Sequence, residues 1–361
     1  MHPRPPDPVA EPDAADRLIL DHARELLGSV GSVAVIGDPV TDLVLALDGQ
    51  REVRVHQDLL RDERDLAVRC EHLGIDGVTA HPLGSTLVDG VELVLLRLPK
   101  SLDRLRDVAG LIAAHAAPGV VVVAGGRIKH MTTAMNDVLR EFFGRVDVTH
   151  ARQKSRALIA AGPHDGADPL PRSRIHPLPG IGDVTVCAMG GVFAGTGIDI
   201  GTRFLLENLP ERIEGDGMVD LACGSGVVAA VLALQHPDRT VIACDQSAAA
   251  TQSTLATAAA NDVLDRIDVR RDDALSLLAD DSVSFVALNP PFHEGSSVDE
   301  QIAPRLFADA ARALRPGGEL WTVWNSHLDN RAQLDRLVGS TRQVARNAKF
   351  TITSSRARPG K

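Results

Sequence analysis

Residues 219–226 read VDLACGSG. An apolar strand carrying one acid, Asp220, runs into a turn of small residues, and an apolar helix opens at Val227. Small residues let a backbone approach a ligand closely, and a helix start offers N–H groups with no partner inside the helix. Taken alone, such a loop also serves dinucleotide sites and plain structural turns. The next apolar run, Thr240–Cys244, ends in Asp245. An acid at the tip of the second strand is placed to read a ribose diol, because a carboxylate accepts from both hydroxyls. Together the two features narrow the ligand to an adenosine-type cofactor and leave NAD and S-adenosylmethionine both open.

The same alternation of short apolar runs and helical periodicity extends through most of the chain, the mark of a parallel α/β sheet. Candidate strands are Ser32–Ile36, Glu52–His56, Val91–Leu96 and Val120–Val123, then Met218–Leu221, Thr240–Cys244, Ser284–Leu288 and Glu319–Val323. A chain of 361 residues suggests two domains. Between the two strand series, Gly162–Gly180 (GPHDGADPLPRSRIHPLPG) is rich in proline, glycine and charge and reads as a linker. The expected organisation is a flexible tail at 1–14, a first domain at 15–161, a linker at 162–182 and a second domain at 183–361.

Composition sets limits. Hydrophobic residues are 44% and charged residues 24%, a globular balance that excludes wholesale disorder. Apolar runs such as Val120–Ala124 and Val227–Leu234 are too short to span a bilayer. The opening MHPRPPDPVAEPD has no apolar core, so no secretory signal is read. Cys70, Cys187, Cys223 and Cys244 form no CxxC pair, which argues against disulfides and structural zinc and suits a reducing cytoplasm. A net charge of −10 excludes a uniformly basic nucleic-acid coat and leaves room for local basic faces.

Asn289–Gly295, NPPFHEG, decides the chemistry. A planar amine needs acceptors for its hydrogens and a flat surface to lie on. The Asn289 side-chain carbonyl supplies one acceptor and the Pro290 main-chain carbonyl another. Pro290 and Pro291 make the loop rigid. Phe292 offers an aromatic face to a base. His293 adjoins the site, where a lone histidine more often bonds structurally. A structural turn has little use for this set at a strand's C-terminal tip, which is where doubly wound folds place their ligands.

NPPF, preceded by VDLACGSG and Asp245, resembles the S-adenosylmethionine-dependent amino methyltransferases of Rossmann-like (class I) fold. With Phe193–Leu206 (FAGTGIDIGTRFLL) and Asn325–Phe350, the chain resembles the bacterial ribosomal-RNA guanine-N2 methyltransferases, the RsmC/RlmG group, on the large-subunit (23S) side. The resemblance implies two tandem methyltransferase-like domains, the first degenerate, and S-adenosylmethionine as cofactor. It implies that Asp220, Ala222, Gly224 and Gly226 hold the methionine part and that Asp245 binds the ribose with Gln246 beside it. Asp273 and the Ala274 N–H would face the adenine, Asp273 being preferred to Asp272 by its place before Ala274. Gly201 and Thr202 would close the pocket. Asn289 would border both cofactor and base; it and Pro290 would hold the guanine amine, with Pro291, Phe292 and His293 lining the base. No metal is implied. A soluble monomer acting on ribosomal RNA in the cytoplasm is the expectation.

The halves share an order of landmarks. Leu139–Ala161 lies without gaps on Leu334–Arg356, Pro118-Gly119 matches Pro316-Gly317, and LLRLPK (95–100) matches VALNPP (286–291). The first half has lost the site: Gly37-Asp38-Pro39-Val40 replaces Cys-Gly-Ser-Gly, the second strand ends near Gln57 instead of an acid, and Leu98-Pro99-Lys100 replaces Asn-Pro-Pro. Such a domain is expected to recognise substrate. Basic residues gather over 127–174 and 331–361, where they suit phosphates and ordinary solvated faces equally. Two other readings remain at this point: a protein glutamine-N5 methyltransferase, since an NPP loop also suits a planar amide, and a non-catalytic RNA-binding or ribosome-assembly factor.

Overall fold

The computed structural model describes residues 12–47, 52–291 and 302–358. The chain divides into two compact units, Met1–Leu170 and Pro171–Lys361. The first contains α1 (Ala14–Leu27), β1 (Ser32–Ile36), α2 (Thr41–Leu45), β2 (Glu52–His56), α3 (Leu60–Leu73), β3 (Val78–Ala80), α4 (Ser85–Val88), β4 (Leu93–Arg97), α5 (Leu102–His115), β5 (Val121–Arg127), α6 (Thr133–Arg140), β6 (Phe143–Val148) and β7 (Ser155–Pro163). Its strands form one sheet in the order β3-β2-β1-β4-β5-β7-β6. The first five run parallel; β7 enters antiparallel to β5, and β6 antiparallel to β7.

The second unit begins with a hairpin, β8 (Arg172–Leu178) and β9 (Gly182–Ala188), followed by α7 (Ile200–Leu206), β10 (Met218–Leu221), α8 (Val227–Gln235), β11 (Val241–Asp245), α9 (Ala248–Ala260), β12 (Ile267–Arg271), β13 (Val283–Leu288), α10 (Ile302–Ala313), β14 (Leu314–Asn325), α11 (Arg331–Leu337), β15 (Thr341–Arg346) and β16 (Phe350–Arg356). Its sheet order is β12-β11-β10-β13-β14-β16-β15. Position for position this is the order of the first unit, with the same antiparallel closing pair. Both units are therefore Rossmann-like methyltransferase-type domains in tandem.

The aligned landmarks fall on equivalent elements. β7 starts at Ser155 and β16 at Phe350, which the gapless alignment superposes. β5 ends at Arg127 and β14 at Asn325; β4 ends at Arg97 and β13 at Leu288. Leu98 thus stands where the second unit has Asn289.

Buried parallel strands read as unbroken apolar runs because both faces are covered. In β13, Phe285 and Ala287 join the core on one face, and Val286 and Leu288 the core on the other. In β4, Leu93 and Leu95 face one core, Val94 and Leu96 the other. Each fully buried leucine contributes about 2 kcal/mol. Helix α8 is buried continuously from Val227 to Ala233, which explains its apolar circumference.

The expected linker at 162–182 is corrected by the structure. Gly162 and Pro163 still belong to β7, and Arg172–Leu178 is a strand paired with β9. Pro177 is tolerated because this two-stranded ribbon does not need every N–H. The free edge of β9 is held by α9. Thr257 Oγ1 accepts from Cys187 N–H (2.9 Å), Ser253 Oγ from Met189 N–H (2.9 Å), and the Asn261 amide bonds both N–H and C=O of Thr185 (2.9 and 2.7 Å). Of the expected tail, residues 1–11 lie outside the described residues. Asp13 caps α1, its carboxylate accepting from Ala15 and Asp16 N–H (2.8 and 3.0 Å), so order begins before residue 14.

Candidate cofactor and amine site

The loop after β10 is stitched to its neighbours from below. Cys223 N–H bonds to Cys244 O (3.0 Å), extending the ladder past the end of β10. Thr254 on α9 donates to Gly224 O (3.2 Å). Gly226 has φ 74°, and a Cβ there would meet Thr254 Cα at 2.8 Å, so only glycine fits. Gly224, with φ 55°, differs: a Cβ there would meet nothing within 4 Å. Among the described residues, the space over Gly224 is open to a ligand.

Asp220 is 3% exposed and accepts from Ala229 N–H in the first turn of α8 (2.9 Å). It fixes the helix to the loop from beneath. Burial pushes its carboxyl up to about 7, against the pull of the Ala229 N–H, and the neighbouring Asp245 charge adds to the rise. Asp245, at the tip of β11, accepts from Gly224 N–H (3.0 Å) and Ser247 N–H (2.9 Å), which sets its carboxylate beside the glycine loop. Beside it the Gln246 Oε1 atom is buried with no hydrogen-bond partner among the described residues. An orphaned buried acceptor next to an acid fits a ligand bearing hydroxyls or N–H groups.

After β12, Asp272 is fully buried. It accepts from Asp273 N–H (2.7 Å), the Ser276 hydroxyl (2.5 Å) and Leu277 N–H (2.8 Å), so it folds the turn. Asp273 is partly exposed and pairs with Arg305 on α10. The geometry therefore favours Asp273 over Asp272 as the ligand-facing acid. Ala274 holds φ 60°, and its N–H has no partner among the described residues. Arg305 is a residue that no sequence signal marked.

Asn289 and Pro290 follow β13, whose neighbours in the sheet are β10 and β14. Asn289 Nδ2 donates to Thr202 Oγ1 (2.8 Å) and Asp199 Oδ2 (3.2 Å). Its carbonyl oxygen points the other way. Gly201 and Thr202 form the first turn of α7, both buried, with Asp199 as N-cap. The structure thus brings Thr202 to Asn289, and Asp199 with it. Asp199 carried no role in the sequence reading, although an aspartate just before IGTRFLL is a helix-start signal. Pro290 is buried and Pro291 exposed. Phe292 and His293 lie outside the described residues.

Burial first, with nearby Asp245, raises the Cys223 thiol well above its usual value, and burial with nearby Asp272 takes the Cys244 thiol up to about 12, so both stay protonated at neutral pH. Among the described residues no cluster of His, Cys, Asp and Glu could hold a metal ion, and no helix is long and apolar enough to cross a membrane.

In the first unit, side chains bond across the equivalent loop. Gln57 Oε1 accepts from Val40 N–H (2.9 Å), doing internally what Asp245 does for Gly224. Arg97, closing β4, donates to Pro39 O (2.9 Å) and Asp13 (2.6 Å) and lies across the loop. Arg104 bonds to His56 Nε2 (2.7 Å) and approaches Asp58 (3.6 Å). A Cβ on Gly37 would meet Arg97 Cβ at 2.6 Å, so the start of the loop is packed against the end of β4.

Comparison with known proteins gives the following. The Methyltransferase small domain family matches residues 183–354, and the RLMG N-terminal domain family matches residues 4–165. A protein named ribosomal RNA large subunit methyltransferase G from Streptomyces avermitilis is 36% identical over 96% of this chain and 93% of its own length. Proteins of the same name from Streptomyces coelicolor (35%, covering 96% and 94%) and Ectopseudomonas mendocina (33%, covering 97% and 94%) are similar too. A solved T. thermophilus 16S rRNA N2 methyltransferase (RsmC), in complex with AdoMet and guanosine, matches 96% of this chain and 92% of its own at a TM-score of 0.77 and 22% identity, a likeness of fold.

Proposed function

The chain belongs to the ribosomal RNA large subunit methyltransferase G family, and from that premise we propose that it uses S-adenosylmethionine to methylate the exocyclic N2 amine of a guanine in large-subunit (23S) ribosomal RNA. One observation carries the reading. Just past β13, which pairs with the strand leading into the glycine loop, Asn289 gives its NH2 hydrogens to Thr202 and Asp199, leaving its carbonyl oxygen on the opposite side of the amide.

The residues fit the cofactor. Among the described residues, the open space over Gly224, the Gln246 Oε1 left without a partner and the Ala274 N–H left without one offer contacts for a zwitterion, a hydroxylated ribose and a purine edge in turn. Asp220, Ala222, Gly224 and Gly226 would hold the amino-acid end, Asp245 and Gln246 the ribose, Asp273 and Ala274 the adenine. When bound, S-adenosylmethionine supplies a methyl group on a positively charged sulfur.

The chain's own part is orientation. An exocyclic amine is a poor nucleophile because its lone pair is delocalised into the ring. The Asn289 carbonyl and the Pro290 main-chain carbonyl, each accepting one N–H, draw the hydrogens to one side and free the lone pair on the other. Holding the amine in that geometry supplies most of the rate by proximity and alignment. The second unit would carry the chemistry. The first, with side chains bonded across the equivalent loop, would recognise substrate.

The test is transfer of labelled methyl to protein-free rRNA and to assembled subunits from cells lacking this gene, read by nucleoside mass spectrometry. The expected product is N2-methylguanosine, with Asn289→Ala binding cofactor normally and transferring nothing. Label in a glutamine side chain of a co-supplied protein, and none in RNA, would overturn the substrate.

A further inference from the structure

Asn289 can accept an amine's hydrogens in only one of two amide orientations. Reversed, it presents an NH2 group to another NH2 group. The two orientations have the same shape, so packing alone does not choose between them; hydrogen-bond partners do.

Here the partners are one-sided. The Asp199 carboxylate accepts from Gly201 N–H (2.8 Å), Thr202 N–H (3.1 Å) and the Thr202 hydroxyl. The single hydroxyl hydrogen of Thr202 is thereby committed to Asp199, and its oxygen meets Asn289 as an acceptor. Asp199 Oδ2, the other atom within reach, is also an acceptor. Both atoms facing the Asn289 amide on this side thus demand hydrogen, and only Nδ2 can give it. Oδ1 is left pointing away, with no donor among the described residues. Thr202 is 8% exposed, so water competes little and the preference is strengthened by a low local dielectric.

The geometry points to Asp199, acting through Thr202, as the positioning residue that sets the amide sense of Asn289 and so selects a substrate with an amine over one with a carbonyl at the same place. The inference rests on the amine-acceptor role given to Asn289 above. Thr202, expected to close the cofactor pocket, would on this reading act on the substrate side as well. The chain of bonds runs from the start of α7 to the tip of β13, so a residue remote in sequence decides what the NPP loop reads.

Asp199→Asn is the sharpest test. Asparagine is itself a good helix N-cap, so α7 is retained, but an NH2 group now stands where an acceptor stood. The expected kcat falls on the order of 10²-fold, as for misplacement of a reacting group. Melting temperature and affinity for S-adenosylmethionine hold. Thr202→Val lowers kcat about tenfold, the worth of one hydrogen bond, and Thr202→Ser restores it. A second readout needs no activity. The Asn289 side-chain NH2 signals in a nitrogen-15 spectrum, identified by their loss in Asn289→Ala, exchange slowly with solvent in the wild type and rapidly in Asp199→Asn. Wild-type kcat in Asp199→Asn, or unchanged protection of the Asn289 NH2 group, overturns the inference. If the wild-type protein methylates no RNA, the proposed function fails, and the exchange comparison still decides the role of Asp199.

Discussion

Two alanines bear backbone strain at the site. Ala222 and Ala274 hold φ of 59° and 60°, a left-handed conformation that costs an L-residue about 1 kcal/mol or more. Both stand at the expected cofactor contacts, one after β10 and one after β12, and strain kept at such places commonly fixes a backbone group for a ligand. The sequence marked both alanines, but through resemblance to a family, since no pattern of side chains reports a backbone angle. The choice of Asp273 over Asp272 was legible only as spacing; burial supplies its physical reason, because Asp272 is consumed by its own turn. Asp245 is the residue whose role is most directly measurable. Replacing it with alanine removes a charged acceptor and is expected to weaken S-adenosylmethionine binding by about 1–3 kcal/mol, read by calorimetry. Unchanged affinity would remove the ribose from Asp245.

Within the glycine loop, two residues of the same kind are held for different reasons, and substitution separates them. Gly226→Ala forces a methyl group into the Thr254 backbone at positive φ. It is expected to destabilise the fold by about 2–4 kcal/mol, strain and overpacking together. Gly224→Ala meets no protein atom, so the fold loses only about 1 kcal/mol while cofactor binding falls sharply. Thermal melts beside binding isotherms check the pair; equal melting losses in both would refute the open space over Gly224. Element boundaries were legible where the physics is one-sided. Ser32–Ile36, Glu52–His56 and Met218–Leu221 stand as read from sequence: SVAVI and MVDL are mostly apolar because both faces of the sheet are covered, and EVRVH shows through its buried valines, Val53 and Val55. The closing strands were not seen as strands. β16 contains Thr353, Ser354 and Ser355, all buried and satisfied by other side chains: Thr353 by Trp324 Nε1 (3.3 Å), Ser354 by Glu319 (2.9 Å) and Ser355 by Thr341 (2.9 Å). Hydroxyl pairs across a sheet look polar in sequence and behave as core.

Across the whole chain, buried acids set the response to pH. Burial raises Asp16 to about 6, against the pull of Arg97, and Asp220 to about 7. Between the ordinary value of 3.8 and these values, the folded chain holds protons that the unfolded chain has released. Stability therefore falls as pH rises through that window. A denaturant series from pH 5 to pH 8 is expected to lose stability on the order of a few kcal/mol, with Asp220→Asn flattening the upper part of the curve. A curve that climbs with pH over that range would refute the burial of these charges. The duplicated architecture showed only weakly in three short landmarks and was read mainly through the family resemblance, since turns and strand ends carry few identical residues between the halves. The hairpin of β8 and β9 was not legible, because its prolines and charges resemble a linker. That hairpin has a consequence for solubility. A ribbon outside the main sheet offers a row of bare amides to any neighbouring molecule, an invitation to intermolecular pairing and aggregation. Ser253, Thr257 and Asn261 act as a false neighbouring strand, taking the N–H groups of Met189, Cys187 and Thr185. Helix α9 thereby takes the amides on the β9 side of the ribbon out of reach of a neighbouring molecule.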